Sequence, residues 1–272
     1  MKKLVLSIAT MLTVSGAMAQ GMYASFNLGY AGGTSSELLG TDFNLKSATS
    51  FEENGIYGTH GSGIPIGLNF GYMFTQHVGF ELGFNYFMGS EVTIDVTKTF
   101  FGDDVTTTSK GYQIRVLPQL IISTGSEDAL NFYSKFGLVM PVAGETTFKQ
   151  EGVFFNGLGT STILVEGNST GSFSLGYTGA LGTTFNLSES LSLFGELQLI
   201  NLRIKPATQT ITKYMIAGND VLSTFDTDQL ETEYVSTINQ DSNVDNTTPK
   251  KVIGTSTNYN SLGLNIGVRY NF

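Results

Sequence analysis

The chain has no cysteine, only five prolines among 272 residues, and few charges, with Asp, Glu, Lys and Arg together making up 14%. The missing cysteine excludes a disulfide scaffold and any zinc or iron–sulfur site built on thiolates. A basic excess is missing too. The formal net charge is −9, the wrong sign for a nucleic-acid binder. Mean hydropathy is only +0.06, too low for a bundle of helices that each need about 20 apolar residues to cross a membrane. Against these absences stand 33 glycines, 20 phenylalanines and 12 tyrosines. So many aromatics argue against disorder. The composition is that of a β-protein, and it suits a barrel in a membrane.

The first nineteen residues read as an export leader. Lys2 and Lys3 precede an apolar stretch from Leu4 to about Val14, and Ala17-Met18-Ala19 is a small-x-small cleavage site. The expected boundaries are a signal peptide over 1–19 and a barrel domain over 20–272. Cleavage after Ala19 removes two lysines and takes the formal charge from −9 to −11. No cysteine follows the site, which excludes lipoprotein processing. An exported chain passes through an oxidising compartment, where a chain without thiols avoids wrong crosslinks but gains no staple.

The dominant period after the leader is two, the period of a half-buried strand. Eight segments carry it. They begin at Met22, Ile64, Val78, Gln113, Leu130, Phe173, Leu191 and Ser261. In the last, Leu262, Leu264, Ile266, Val268, Tyr270 and Phe272 alternate with Ser261, Gly263, Asn265, Gly267, Arg269 and Asn271. The seventh alternates from Leu191 to Leu199 and then sets Ile200, Leu202 and Ile204 in the opposite phase, which predicts a β-bulge near Leu199-Ile200. The connections at 75–77, 125–129 and 188–190 are short. Those at 32–63, 143–170 and 206–257 are long and polar. The third and fourth segments are expected to extend together and turn at Gly102-Asp103-Asp104.

Tight turns on one side and long loops on the other are the pattern of a transmembrane barrel. The expected fold is all-β, an eight-stranded antiparallel up-and-down transmembrane β-barrel. A water-facing sandwich would expose charge freely. Here the five charges in the segment cores, Glu81, Arg115, Lys135, Glu196 and Arg269, all share the face of Gly, Ser, Asn and Gln. A lipid-facing lysine or arginine at the midplane costs about 2–4 kcal/mol, which accounts for their exclusion from the other face. An eight-stranded interior is narrow enough for side chains to fill. The five charges are therefore expected to form a lumen network, with Glu196 paired to Arg269 and Glu81 paired to Arg115 or Lys135. Asn27, Asn69, Gln119, Gln198 and Tyr133 are expected around them.

The C-terminal motif Asn265-x-Gly267-x-x-Tyr270-x-Phe272 resembles the β-signal of outer-membrane barrels. The stretch from Gly67 to Gly89 is similar to the second hairpin of the small outer-membrane β-barrel family often called porin-like. The resemblance implies insertion in the outer membrane of a Gram-negative cell. It implies contact with outer-membrane lipid and lipopolysaccharide, periplasmic chaperones during export, and assembly machinery that reads the C-terminal strand. Family membership does not fix one activity.

No cofactor and no nucleic acid are expected. The expected role is structural or surface-interacting, through large acidic loops. The alternatives are a narrow channel for small solutes and, more remotely, a lipid-modifying enzyme. For the last, His77 lies in a short turn on the wrong side. His60 and Ser62 share the outward parity and lack a third orienting group, so no enzyme is expected. Asp226, Asp228, Glu231 and Glu233 form an acidic loop cluster without the spacing of a dedicated calcium loop. Val153-Phe154-Phe155 is an apolar run in a long loop, suited either to packing among the loops or to touching a partner.

Overall fold

The computed structural model describes residues 21–34, 37–125, 129–238 and 246–272. The leader expected over 1–19 lies outside the described residues. Among the described residues eighteen strands follow one another. They are β1 (Met22–Gly33), β2 (Glu37–Ser47), β3 (Ser50–Gly58), β4 (Gly63–Met73), β5 (Val78–Gly89), β6 (Val92–Thr99), β7 (Asp104–Ser123), β8 (Leu130–Phe155) and β9 (Thr160–Gly171). The second half holds β10 (Gly176–Asn186), β11 (Leu191–Asn201), β12 (Arg203–Ile204), β13 (Pro206–Ile216), β14 (Asn219–Asp220), β15 (Glu231–Val235), β16 (Lys250–Ile253), β17 (Thr257–Asn258) and β18 (Ser261–Asn271). No helix among the described residues is long and apolar enough to cross a membrane, which says nothing of crossing by strands.

Eight of these strands close a ring in the order β1, β4, β5, β7, β8, β10, β11, β18 and back to β1, every pairing antiparallel. Closure leaves the ring no free edge. These strands are the eight alternating segments, and their parity follows from the side chains. Phe26, Leu181 and Ile266 point outward, 51%, 67% and 64% exposed. Glu81, Arg115 and Lys135 point inward and are buried.

The seventh segment departs from expectation. β11 pairs with β10 and β18 through Ile200 without a register shift. There is no bulge. The alternation keeps its phase, and Ile200, Leu202 and Ile204 turn inward. There they join Leu117, Val139 and Tyr259 in an apolar cluster. Burial against those side chains removes the need for the strand to slip.

The long connections also differ from plain loops. β7 and β8 run 20 and 26 residues and continue well beyond the ring. At about 3.3 Å per residue they carry a second sheet out from its rim. That outer sheet has the order β3-β2-β6-β7-β8-β9-β13-β15-β16. Its β6–β7 turn falls where expected, with Gly102 at φ +107°. Phe155, at the end of β8, stacks on Phe101 with centroids 5.8 Å apart, so the end of the apolar run 153–155 packs within this sheet.

Candidate functional site

The interior holds an ionic layer between two apolar ones. Lys135 lies at its centre, with Nζ 2.8 Å from Glu81 Oε1 and 2.9 Å from Glu196 Oε2. Tyr23 donates to Glu81 Oε2 at 2.7 Å, and Tyr133 donates to Glu196 Oε2 at 3.0 Å. Asn265 donates to Glu196 Oε1 and Gln198 Oε1, each at 3.2 Å. A buried ion pair is tolerated only when its remaining lone pairs are satisfied, and the tyrosines and Asn265 supply that. The Tyr23 and Tyr133 rings need space at the wall. A Cβ at Gly71 would lie 2.0 Å from the Tyr23 ring, and one at Gly182 would lie 2.4 Å from the Tyr133 ring. Glycine at these positions makes room for the two donors.

The expected Glu196–Arg269 pair does not form. Glu196 lies opposite Asn265 on β18, and Arg269 is four residues further along, about 13 Å at strand spacing. Arg269 instead stacks over Tyr23, its guanidinium 4.2 Å from the ring centroid. Of the two partners foreseen for Glu81, Lys135 is the one in contact. Arg115 makes no ion pair among the described residues. Its guanidinium lies 3.9 Å over the Phe87 ring, and its Nε donates to Gln113 at 2.7 Å.

Ile121, Tyr133 and Phe194 form an apolar cluster toward the short turns. The cluster around Leu117, Val139, Ile200 and Leu202 lies toward the outer sheet.

Above the upper cluster, the ring's rim and the outer sheet enclose a half-open cavity of about 1100 Å³. His60, Ser109, Gln113 and Tyr259 lie among its lining. His60 is therefore turned inward, against its expected outward parity. Its Nε2 contacts Ser109 Oγ at 3.2 Å, not Ser62. Burial holds its imidazole below the ordinary histidine range, so it is neutral at pH 7. Its Nδ1 is buried without a hydrogen-bond partner. Tyr259 OH meets Thr146 Oγ1 at 2.9 Å. Inward parity of Ser109, Gln113 and Arg115 on β7 was the only signal for this floor, because Tyr259 and His60 reach it from segments with no alternation.

The acidic cluster is dispersed. Asp226 caps the helix Thr227–Leu230, while Glu231 and Glu233 stand on β15. Among the described residues no group of three or more acidic or histidine side chains could hold a metal ion. His77, in a short turn, contacts the Ser123 carbonyl through Nδ1 at 3.1 Å. In the C-terminal motif, Asn265 belongs to the ionic layer and Gly267 lies beside the Phe194 ring. Tyr270 and Phe272 point outward, with their rings packed edge to face.

No family model and no curated protein sequence matches the chain. Solved structures do. The outer membrane protein OprG from Pseudomonas aeruginosa is 15% identical, with TM-score 0.46 over 93% of this chain and 96% of that one. Neisserial surface protein A is 12% identical, with TM-score 0.40 over 93% and 97%. Ail, the attachment invasion locus protein of Yersinia pestis, is 11% identical, with TM-score 0.36 over 93% and 99%. The chain is thus similar along most of its length, at low identity, to small outer-membrane β-barrel proteins.

Proposed function

We propose that the protein is an eight-stranded up-and-down β-barrel of the outer membrane with a filled lumen, and that its outer sheet and vestibule interact with the cell's surroundings. The observation that carries the reading is the inverted wall. Large apolar side chains face out, and the charges of the ring below the outer sheet, Glu81, Arg115, Lys135, Glu196 and Arg269, face in. A water-soluble protein would place them the other way. Six of the ring strands are 11–12 residues long, close to the roughly 9–11 that a tilted strand needs to cross a bilayer. Exposed Tyr72, Phe74, Tyr270 and Phe272 at the short-turn end suit an interfacial aromatic girdle. In this reading the apolar wall meets lipid, with lipopolysaccharide in the outer leaflet. The assembly machinery reads the C-terminal strand through Asn265, Gly267, Tyr270 and Phe272. Residues 1–19 direct export.

The two apolar layers favour a closed lumen over a channel for small solutes. Planar-bilayer recording of the refolded protein tests this. Silence is expected, and a steady conductance above leak would establish the channel instead. The vestibule's His60–Ser109 contact has no acidic side chain orienting the histidine, so the reading assigns it no catalysis. His60→Ala should leave lipid A unchanged by mass spectrometry, and an altered lipid A would restore the enzyme reading.

A further inference from the structure

We propose that the vestibule floor binds a small amphipathic monocarboxylate, its headgroup held by Tyr259 and by His60, which Ser109 orients, in the field of Arg115. The proposal rests on the surface-interaction reading above and names a ligand class for it.

Charge is the first argument. Lower in the lumen, Glu81 and Glu196 balance Lys135 and Arg269 in number. Arg115 has no such balance. It is 1% exposed, ion-pairs with no carboxylate among the described residues, and its Nη2 has no hydrogen-bond partner. A buried cation left without a counter-ion is costly, and an anion brought close removes that cost. At the low dielectric of a protein interior a single charge acts strongly over several ångströms.

Geometry is the second argument. Arg115 sits directly behind the floor, its Nε fixed by Gln113, which itself lines the cavity. Tyr259 OH supplies one donor, Ser109 Oγ fixes the imidazole through Nε2, and His60 Nδ1 is buried and unpartnered among the described residues. In the tautomer where Nε2 accepts the Ser109 proton, Nδ1–H is the second donor beside the Tyr259 hydroxyl.

The walls select the rest of the ligand. Leu38, Leu39, Ile94, Val142, Phe148 and Phe173 contribute apolar surface, which suits a hydrocarbon tail. Glu37 and Glu145 also line the walls. Glu37 is paired with Arg203 at 3.8 Å, and Glu145 set against the one spare cation favours a monoanion over a dianion such as a phosphate monoester.

The test uses the refolded protein in zwitterionic lipid nanodiscs, titrated calorimetrically with hexanoate, hexanol and hexyl phosphate, with empty nanodiscs as the control. Saturable binding of hexanoate is expected, at least about tenfold tighter than hexanol and hexyl phosphate. Arg115→Met should weaken hexanoate by about tenfold or more and leave hexanol unchanged. Tyr259→Phe, which leaves the lumen intact, should weaken hexanoate by roughly three- to tenfold. Heat no greater than that of empty discs overturns the proposal. So does equal hexanoate affinity in the wild type and both variants, or hexyl phosphate binding the tighter. If the protein still inserts and stays silent in bilayers while hexanoate fails, only the ligand class falls. Steady conductance would instead remove the closed-lumen reading beneath it.

Discussion

Lys135 and Arg115 are both cations buried inside the same ring, yet their surroundings differ. Lys135 touches two carboxylates, and those carboxylates are in turn held by Tyr23, Tyr133 and Asn265. Arg115 touches an aromatic face and one amide. The first is a closed network in which every member depends on the others. The second is a lone charge beside a cavity. Burial alone therefore says little about what a charge does. The partner set separates a charge that holds the lumen together from one left free for something outside the chain.

The comparison can be broken by substitution. Lys135→Met leaves two carboxylates buried beside each other and should destabilise the barrel by about 3–5 kcal/mol in urea unfolding of the refolded protein. Adding Glu81→Gln and Glu196→Gln to that variant should recover much of the loss, because no pair of buried carboxylates is then left without its cation. If the triple variant is no more stable than the single one, the network reading is wrong. Gly182→Ala presses a methyl group into the Tyr133 ring and should cost about 1–3 kcal/mol by the same assay. Removing the Tyr133 hydroxyl as well, in Gly182→Ala with Tyr133→Phe, should relieve only part of that cost, since the added Cβ meets ring carbons at 2.4 and 2.8 Å as well as the hydroxyl at 2.5 Å.

Arg115→Met should change stability least, by less than about 1 kcal/mol, since no partner charge is orphaned and an apolar chain still packs on Phe87. A loss as large as that of Lys135→Met would make Arg115 a structural member of the lumen and remove the distinction drawn above.

Parity was legible in the sequence wherever one face of a strand was uniformly large and apolar, as at Phe26-x-Leu28 or Leu262 to Phe272. That face dictated the inward placement of all five lumen charges. Partners were not legible. Whether Glu196 meets Lys135 or Arg269 depends on how far each strand is sheared against the next, and no local pattern encodes that offset. Ile200, Leu202 and Ile204 were misread for a related reason. Apolar residues on the inward parity look the same as a one-residue slip until the apolar cluster they join is known. The outer sheet was hidden because its strands are half-buried or exposed on both faces, with no alternation to betray them. His60 finds Ser109, 49 residues away, rather than its near neighbour Ser62, because closure of the ring brings β7 alongside the turn before β4.

Contact of the ring's apolar face with lipid is tested most directly by the gel mobility of the protein in fractionated cells, with and without boiling. Recovery in the outer-membrane fraction is expected, with a mobility that changes on boiling, as a closed barrel resists unfolding in detergent until heated. Recovery in the soluble fraction with the same mobility before and after boiling would contradict it.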